Sequence, residues 1–464
     1  MSDQSDLEEF ASADSGSEGQ PAEQESEDPD PEEHGTARFP SLPTDWEIKR
    51  LDEVATVQGG STPSTDEDEY WGGDILWATP TDLTELQGNT ISDTEDKITE
   101  AGLESSSTHV LPPYSVLLTS RASIGKCAVN TVPMATNQGF QSLIPGEEVN
   151  TWYLYYVITE MASYLESLGA GSTFSEISKR EVQRVQIPLP PMEEQLRIAT
   201  TLYTIEETAS QAKRRANHTE RVRKGILYTI FGEENGVLDN ETAYKSVRLG
   251  PKSFTVPDHW EVRSLGSLGK IVTGDTPSTN NDEYYGGDLP FVTPEDFSDS
   301  KRVNKARRGL TEAGREKSRP IPEESVMIDC IGMDMGKVRI AGREIATNQQ
   351  INAVIPDEGI VSSVFLYYQL EALSELLKAQ AGQTRTPIVN KSQFSSFEVL
   401  VPPLEEQQEV VDLLDSHYDL STTESRIVEN TSTILSGLLR ELISGERRLE
   451  NGSIKIIEEV RIDV

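Results

Sequence analysis

Thr62-Pro-Ser-Thr65, Glu69-Tyr-Trp-Gly-Gly-Asp74 and Thr79-Pro-Thr-Asp82 return as Thr276-Pro-Ser-Thr279, Glu283-Tyr-Tyr-Gly-Gly-Asp288 and Thr293-Pro-Glu-Asp296, each displaced by 214 residues. Outward from these blocks the repetition continues. Leu42-Pro-Thr-Asp-Trp46-Glu-Ile48 matches Val256-Pro-Asp-His-Trp260-Glu-Val262 at the same offset. Thr136-Asn-Gln138, Leu154-Tyr-Tyr156 and Pro190-Pro-Met-Glu-Glu-Gln195 match Thr347-Asn-Gln349, Leu366-Tyr-Tyr368 and Pro402-Pro-Leu-Glu-Glu-Gln407 at offsets of 211 and 212. A period this long is a duplicated domain, because solenoid repeats run about 20 to 50 residues. Two copies imply a pseudo-twofold molecule.

Inside each copy, short β-type runs such as Ser115-Val-Leu-Leu-Thr119 and Ser325-Val-Met-Ile328 alternate with Gly/Pro turns, which predicts an α+β fold with short strands. Helical spacing follows at 152 to 168 and 364 to 380. Pro-Pro then opens a much longer helix, with paired glutamates in its first turn where the helix dipole favours negative charge. Steps of four and three select Ile198, Leu202, Ile205, Ala209, Ala212, Ala216, Thr219, Arg223, Ile226 and Ile230, with Gly232 as a stop. In the second copy the series is Val410, Leu413, His417, Leu420, Glu424, Ile427, Thr431, Ile434 and Leu438, ending near Gly445. This is coiled-coil spacing, and one narrow apolar stripe has to be covered. The economical arrangement pairs the two helices with each other, antiparallel, with a globular domain at each end; the alternative is two separate helices, each capping its own domain.

The expected organisation is an acidic tail over 1–38, a first globular domain over 39–191, a helix over 192–231, a linker over 232–255, a second domain over 256–403, a helix over 404–445 and a tail over 446–464. The 464 residues carry 79 acidic against 41 basic side chains, a formal charge of -38. Residues 1–40 hold 13 acids and one base, Arg38, too polar to offset chain entropy, so a disordered tail is expected. The remaining 424 residues still sum to -26, a surface suited to the very salty cytoplasm of a halophile; the alternative is an acidic protein that avoids nucleic acid at ordinary salt. No run of about 18 apolar residues exists to span a membrane, and the first residues lack the pattern of a signal peptide, so a cytoplasmic protein is expected. Two cysteines, Cys127 and Cys330, and five histidines make neither a disulfide framework nor a metal-ligand spacing.

Catalytic fragments fail on chemistry. Leu111-Pro-Pro-Tyr114 has leucine where an amino-methyltransferase tetrapeptide needs a side chain that accepts from an exocyclic amine. Gly169-Ala-Gly171 lacks the third glycine of a dinucleotide loop, and Gly125-Lys126-Cys127 lacks the Ser/Thr of a phosphate loop. Binding chemistry is present instead. Lys301, Arg302, Lys305, Arg307, Arg308, Arg315, Lys317 and Arg319 form a basic run interrupted by only two acids, Glu312 and Glu316. In so acidic a chain that density suits phosphate neutralisation; the alternative is a solvated face balancing nearby acids. Between Asp82 and Thr136 the first copy holds three basic and six acidic residues, and between Asp296 and Thr347 the second holds eleven and eight. One frame thus carries two different variable surfaces.

On these duplicated blocks, in this order, the chain resembles the DNA-specificity subunit of Type I restriction-modification systems over about residues 40 to 449. The resemblance implies two target recognition domains, each reading one half of a split site in double-stranded DNA. It also implies an antiparallel coiled coil that spaces them and docks two methyltransferase subunits, and a non-catalytic role. The resemblance further implies that ATP-dependent restriction subunits join the complex and that AdoMet, ATP and magnesium belong to those partners, with no cofactor expected in this chain. Base discrimination by Arg, Asn and Gln in the major groove makes Arg121, Ser123, Lys126, Asn137, Gln138, Thr173 and Lys179 candidate contacts in the first domain. In the second they are Arg302, Arg307, Arg308, Arg315, Arg319, Lys337, Asn348, Gln349, Arg385 and Lys391. Asn137 and Asn348 serve equally well as turn residues. A self-contained methyltransferase or nuclease, and a coiled-coil adaptor that binds no DNA, stay open as alternatives.

Overall fold

The computed structural model describes residues 39, 42–86, 88–170, 176–231, 243–298, 300–381 and 386–449. The acidic tail, Thr173, Arg385 and most of the C-terminal tail lie outside the described residues. The chain divides into two compact units, Met1–Tyr203 with Ser436–Val464, and Thr204–Leu435.

In the first unit the order is β1 (Glu47–Arg50), α1 (Leu51–Val54), β2 (Ala55–Gly59), β3 (Trp71–Ala78), α2 (Pro80–Glu85), β4 (Thr90–Ile91), β5 (Lys97–Ile98), α3 (Glu100–Ser105), β6 (Val116–Leu118), β7 (Cys127–Asn130), β8 (Ala135–Thr136), β9 (Gln141–Pro145), α4 (Thr151–Glu160), α5 (Ala162–Gly169), α6 (Lys179–Arg184), β10 (Gln186–Leu189) and α7 (Met192–Phe231), the last running on into the second unit. Five strands form a sheet in the order β2-β9-β6-β7-β4, three form β5-β3-β8, and β1 pairs with β10. Leu117, Ala128, Phe140, Met134 and Leu111 fill a core against the larger sheet. The Thr79-Pro-Thr-Asp82 block is a capping box: Asp82 accepts from the Thr79 backbone N–H and hydroxyl at 2.7 Å, with proline in the first turn where its missing N–H costs nothing.

The second unit repeats this layout. Its elements are β11 (Tyr244–Leu249), β12 (Lys252–Pro257), β13 (Glu261–Ser264), α8 (Leu265–Leu268), β14 (Gly269–Thr273), β15 (Tyr285–Val292), β16 (Arg302–Val303), β17 (Arg308–Leu310), α9 (Glu312–Glu316), β18 (Val326–Asp329), β19 (Val338–Ala341), β20 (Ala346–Thr347), β21 (Ile351–Pro356), α10 (Ser363–Ala372), α11 (Ser374–Ala379), α12 (Lys391–Ser396), β22 (Glu398–Val401) and α13 (Leu404–Ile443). The sheets are β14-β21-β18-β19-β16 and β17-β15-β20, with β13 on β22, the same pairings as before. The fold is α+β with duplicated heads and long helices.

The Pro-Pro-X-Glu-Glu-Gln blocks have a physical reason. The side-chain oxygen of Gln195 accepts from the Asn150 backbone N–H at 2.8 Å, and its amide nitrogen donates to the carbonyls of Glu148 and Pro190. Gln407 does the same with Ser362, Ile360 and Pro402. Glu194 and Glu406 accept from the indoles of Trp46 and Trp260 at 3.1 and 2.9 Å. Each long helix is thereby stapled to the head it leaves.

Two expectations need correction. Residues 243–255 are not a plain linker: β11 and β12 form an antiparallel hairpin that buries Leu249, Phe254 and Val256 in the second unit's core. Their period-two alternation around a turn at Gly250 (φ 56) is the signal. The inner face of α13 also differs from the expected series. Val411 and Leu414 are buried, whereas Leu413, Leu420 and Ile434 are exposed. Adjacent apolar pairs, Val410-Val411 and Leu413-Leu414, fit two helical stripes, and packing against the head selects between them. On α7 the expected stripe fares better, with Ile198, Leu202, Ala212, Thr219, Arg223 and Ile230 all buried.

Candidate nucleic-acid interface

In each unit three distant segments are tied together by backbone hydrogen bonds. The β6–β7 loop, residues 119–126, is closed by Thr119, whose backbone N–H donates to the Lys126 carbonyl at 2.9 Å and whose carbonyl accepts from Gly125 at 3.1 Å. Ser120 then donates to the Gly139 carbonyl at 2.8 Å and accepts from Ile177 at 2.9 Å. This brings Arg121, Ser123 and Lys126 beside Gln138 and beside Lys179, the first residue of α6. In the second unit Cys330 donates to the Gln350 carbonyl at 2.8 Å and accepts from Val389 at 2.9 Å, bringing the Lys337 loop beside Gln349 and Lys391. A fourth segment joins both clusters: the Thr62 hydroxyl donates to the Gln138 side chain, and that of Thr276 to Gln349 at 2.6 Å.

Gly60 and Gly274 permit that approach. A Cβ at Gly60 would lie 2.2 Å from the Asn137 carbonyl oxygen, and one at Gly274 2.1 Å from that of Asn348. Asn137 and Asn348 are turn residues: their side-chain oxygens accept from the backbone N–H two residues on, Gly139 at 2.8 Å and Gln350 at 3.1 Å. Asn348 is buried and spends its amide nitrogen on Gln350 at 2.7 Å. The neighbouring Gln138 and Gln349 are exposed, as are Lys126, Lys179, Lys337 and Lys391.

The basic run is not a free cationic patch. Arg302 pairs with Glu324, which also accepts from Ser363 at 2.5 Å; Arg307 pairs with Asp296 at 3.1 Å and Glu295 at 2.5 Å; Arg315 pairs with Glu344 at 2.6 Å. Lys301 lies on Asp415 and Tyr368, and Arg308 stacks over the Tyr285 ring at 4.1 Å. Of the run, Arg319 reaches the loop cluster, donating to the Thr273 carbonyl at 3.1 Å and pairing with Asp275 at 3.3 Å. Lys305 and Lys317 are exposed. Burial would raise the Asp296 carboxyl, but hydrogen bonds from the Arg307 and Thr293 backbone outweigh it and hold the group below its ordinary range. For Glu324, burial is likewise outweighed by the Arg302 and Ser363 hydrogen bonds. Asp329, at the root of the β18–β19 loop, goes the other way, raised chiefly by burial. Burial also pushes the Cys330 thiol up to about 12, far from a nucleophile at neutral pH.

Sequence reasoning missed Ala122, Thr62, Thr276, Met333 and Ile388. Ala122 holds a left-handed φ of 64, and Gly332 occupies the matching place with φ 109. Laying Thr119–Cys127 on Asp329–Val338, with one residue inserted, exposes this correspondence.

Two copies of one head, presenting different side chains from one loop frame, define a duplicated recognition protein. The chain belongs to the family of Type I restriction modification DNA specificity domains, whose family model matches residues 43–220 and again 257–430. It is similar to the Type I restriction enzyme MjaIX specificity subunit of Methanocaldococcus jannaschii, 28% identical over 414 residues, 88% of this chain and 95% of that one. The HindI specificity subunit of Haemophilus influenzae is 34% identical over 200 residues, 41% of this chain and 42% of that one. The fold is that of the Type I restriction-modification S subunit from M. genitalium, with a TM-score of 0.59 at 14% identity, covering 87% of this chain and 98% of that one. As a specificity subunit the chain is a DNA-binding, non-catalytic component of such a system.

Proposed function

We propose that each unit reads one half of a split DNA site through its loop cluster, and that α7 and α13 pair antiparallel to fix the separation of the half-sites and dock two methyltransferase subunits, to which ATP-dependent restriction subunits add. AdoMet, ATP and magnesium belong to those partners. The observation that carries the reading is the shared frame, Ser120–Gly139–Ile177 and Cys330–Gln350–Val389, with different side chains mounted on it. For the helices, support comes from the Arg215–Glu424 pair at 2.9 Å in the second unit, and from Arg448 in the first, which meets Asp45 at 2.7 Å and also pairs with Glu194. Residues 1–38, with 13 acids and one base, are the acidic tail of this reading.

Mapping methylated adenines genome-wide, with and without the gene, tests the proposal. The expected result is one bipartite motif lost on deletion. Replacing residues 256–403 with the corresponding domain of a relative should change one half of that motif and leave the other half and the spacer intact. An unchanged methylome, or a change in both halves, overturns it.

A further inference from the structure

The second unit's loop cluster carries an apolar tip where the first carries charge. Ile331 and Ile388 form a cross-loop bridge, and the matching bridge in the first unit is Arg121 with Glu176. Both members have changed together, an ion-capable couple in one head and an aliphatic couple in the other. Beside the bridge, Gly332 turns the chain at φ 109 and donates to the Pro387 carbonyl at 3.0 Å. Met333 follows at 77% exposure, with Ile388 at 46%. A single exposed aliphatic side chain is ordinary. Two on facing loops, tied through Cys330 to the Gln350 and Val389 segments and flanked by exposed Lys337 and Lys391 and by the exposed carboxylate of Asp334, are a small apolar surface edged by polar and charged groups.

Among base edges in the major groove the apolar feature is the C5-methyl of thymine; the other positions are hydrogen-bond donors and acceptors. We infer that Met333, backed by Ile388, packs on a thymine methyl in the half-site read by the second unit and so determines specificity at that base pair. This rests on the proposed reading of a split site. The first head, with Arg121, Ser123 and Glu176 at the matching places, makes its discrimination there by hydrogen bonds.

The test uses the full chain with its methyltransferase subunit and duplexes of the methylated site. Thymines in the second unit's half-site are replaced singly by uracil, which removes the methyl and nothing else. One position should weaken binding about fourfold to tenfold, the worth of a buried methyl to a good base contact. The same replacement should change binding by less than about twofold once the chain carries M333A, and I388S should reduce the effect partway. Uracil without effect throughout that half-site, or an effect that persists in M333A, overturns the assignment while leaving site-specific methylation intact. Binding by M333A weakened equally on every sequence, with the native chain itself indifferent to uracil, overturns it in favour of a wedge between bases. A complex that methylates no split site overturns the underlying reading and the assignment with it.

Discussion

Asn348 and Gln349 are adjacent, and either suits adenine recognition by residue type, yet their surroundings separate them. Asn348 is 8% exposed with both ends of its amide engaged, whereas Gln349 is exposed and accepts one hydroxyl. Asn348→Ala should therefore cost about 1–3 kcal/mol of stability, read as a lowered unfolding midpoint, with base preference retained. Gln349→Ala should leave stability within about 0.5 kcal/mol and alter binding or motif choice. Residue type alone could not divide the two, because a Thr-Asn-Gln string specifies neither burial nor which amide the turn consumes. The carboxylates divide similarly. Asp296 and Glu324 are held low, so their contribution is present above the unfolded value near about 4 and is lost as pH falls through their folded values. Asp329 is raised: its contribution is complete below the unfolded value and is lost as pH rises through the folded one. Asp329→Asn keeps an acceptor for the Ile331 N–H, at 3.2 Å in the native chain, without a buried charge. It should raise the unfolding midpoint at about pH 7, with the gain shrinking toward about pH 3, as differential scanning at the two pH values would measure.

At the scale of elements, the stripes that sequence periodicity could choose were those with one apolar candidate per turn. On α7, Leu202 and Ala212 have no aliphatic neighbour in sequence to compete and are buried as expected, whereas at Ile226-Leu227 and Ile230-Phe231 the off-series Leu227 and Phe231 are buried too. On α13, Leu413-Leu414 offers two faces, and helical spacing cannot select between them; packing does, burying Leu414 completely and leaving Leu413 at 45%. Leu414→Ala should then cost about 2–5 kcal/mol and Leu413→Ala less than about 0.5 kcal/mol, measured by denaturant titration. Equal losses would return Leu413 to the buried face. Strand pairing was legible only as far as Gly/Pro punctuation and duplicated blocks allowed. The hairpin over Tyr244–Pro257 was hidden because Lys245, Ser246, Arg248, Lys252 and Ser253 give it the composition of a linker, while only Val247, Leu249, Phe254 and Val256 carry its alternation.

For the whole molecule, duplication was legible because identical short blocks recur in order, but the electrostatics were not, since a basic run in sequence does not disclose its carboxylate partners. With a formal charge of -38, attraction to DNA depends on which cations are free to meet phosphate. Arg302, Arg307 and Arg315 lie against Glu324, Asp296, Glu295 and Glu344, so a phosphate must first displace a carboxylate and the net gain in released counterions is small. Lys126, Lys179, Lys337 and Lys391 are exposed on the loop clusters and carry no such cost. Each phosphate neutralised steepens the slope of log K against log salt by about 0.9. Replacing those four lysines by alanine in the chain assembled with its methyltransferase subunit should therefore flatten the slope by about 3 to 4. Replacing the three paired arginines by glutamine should change it by less than about 1. The opposite ranking, measured by fluorescence anisotropy across a salt series, would return the basic run to the DNA and make its carboxylates the counterions that are exchanged.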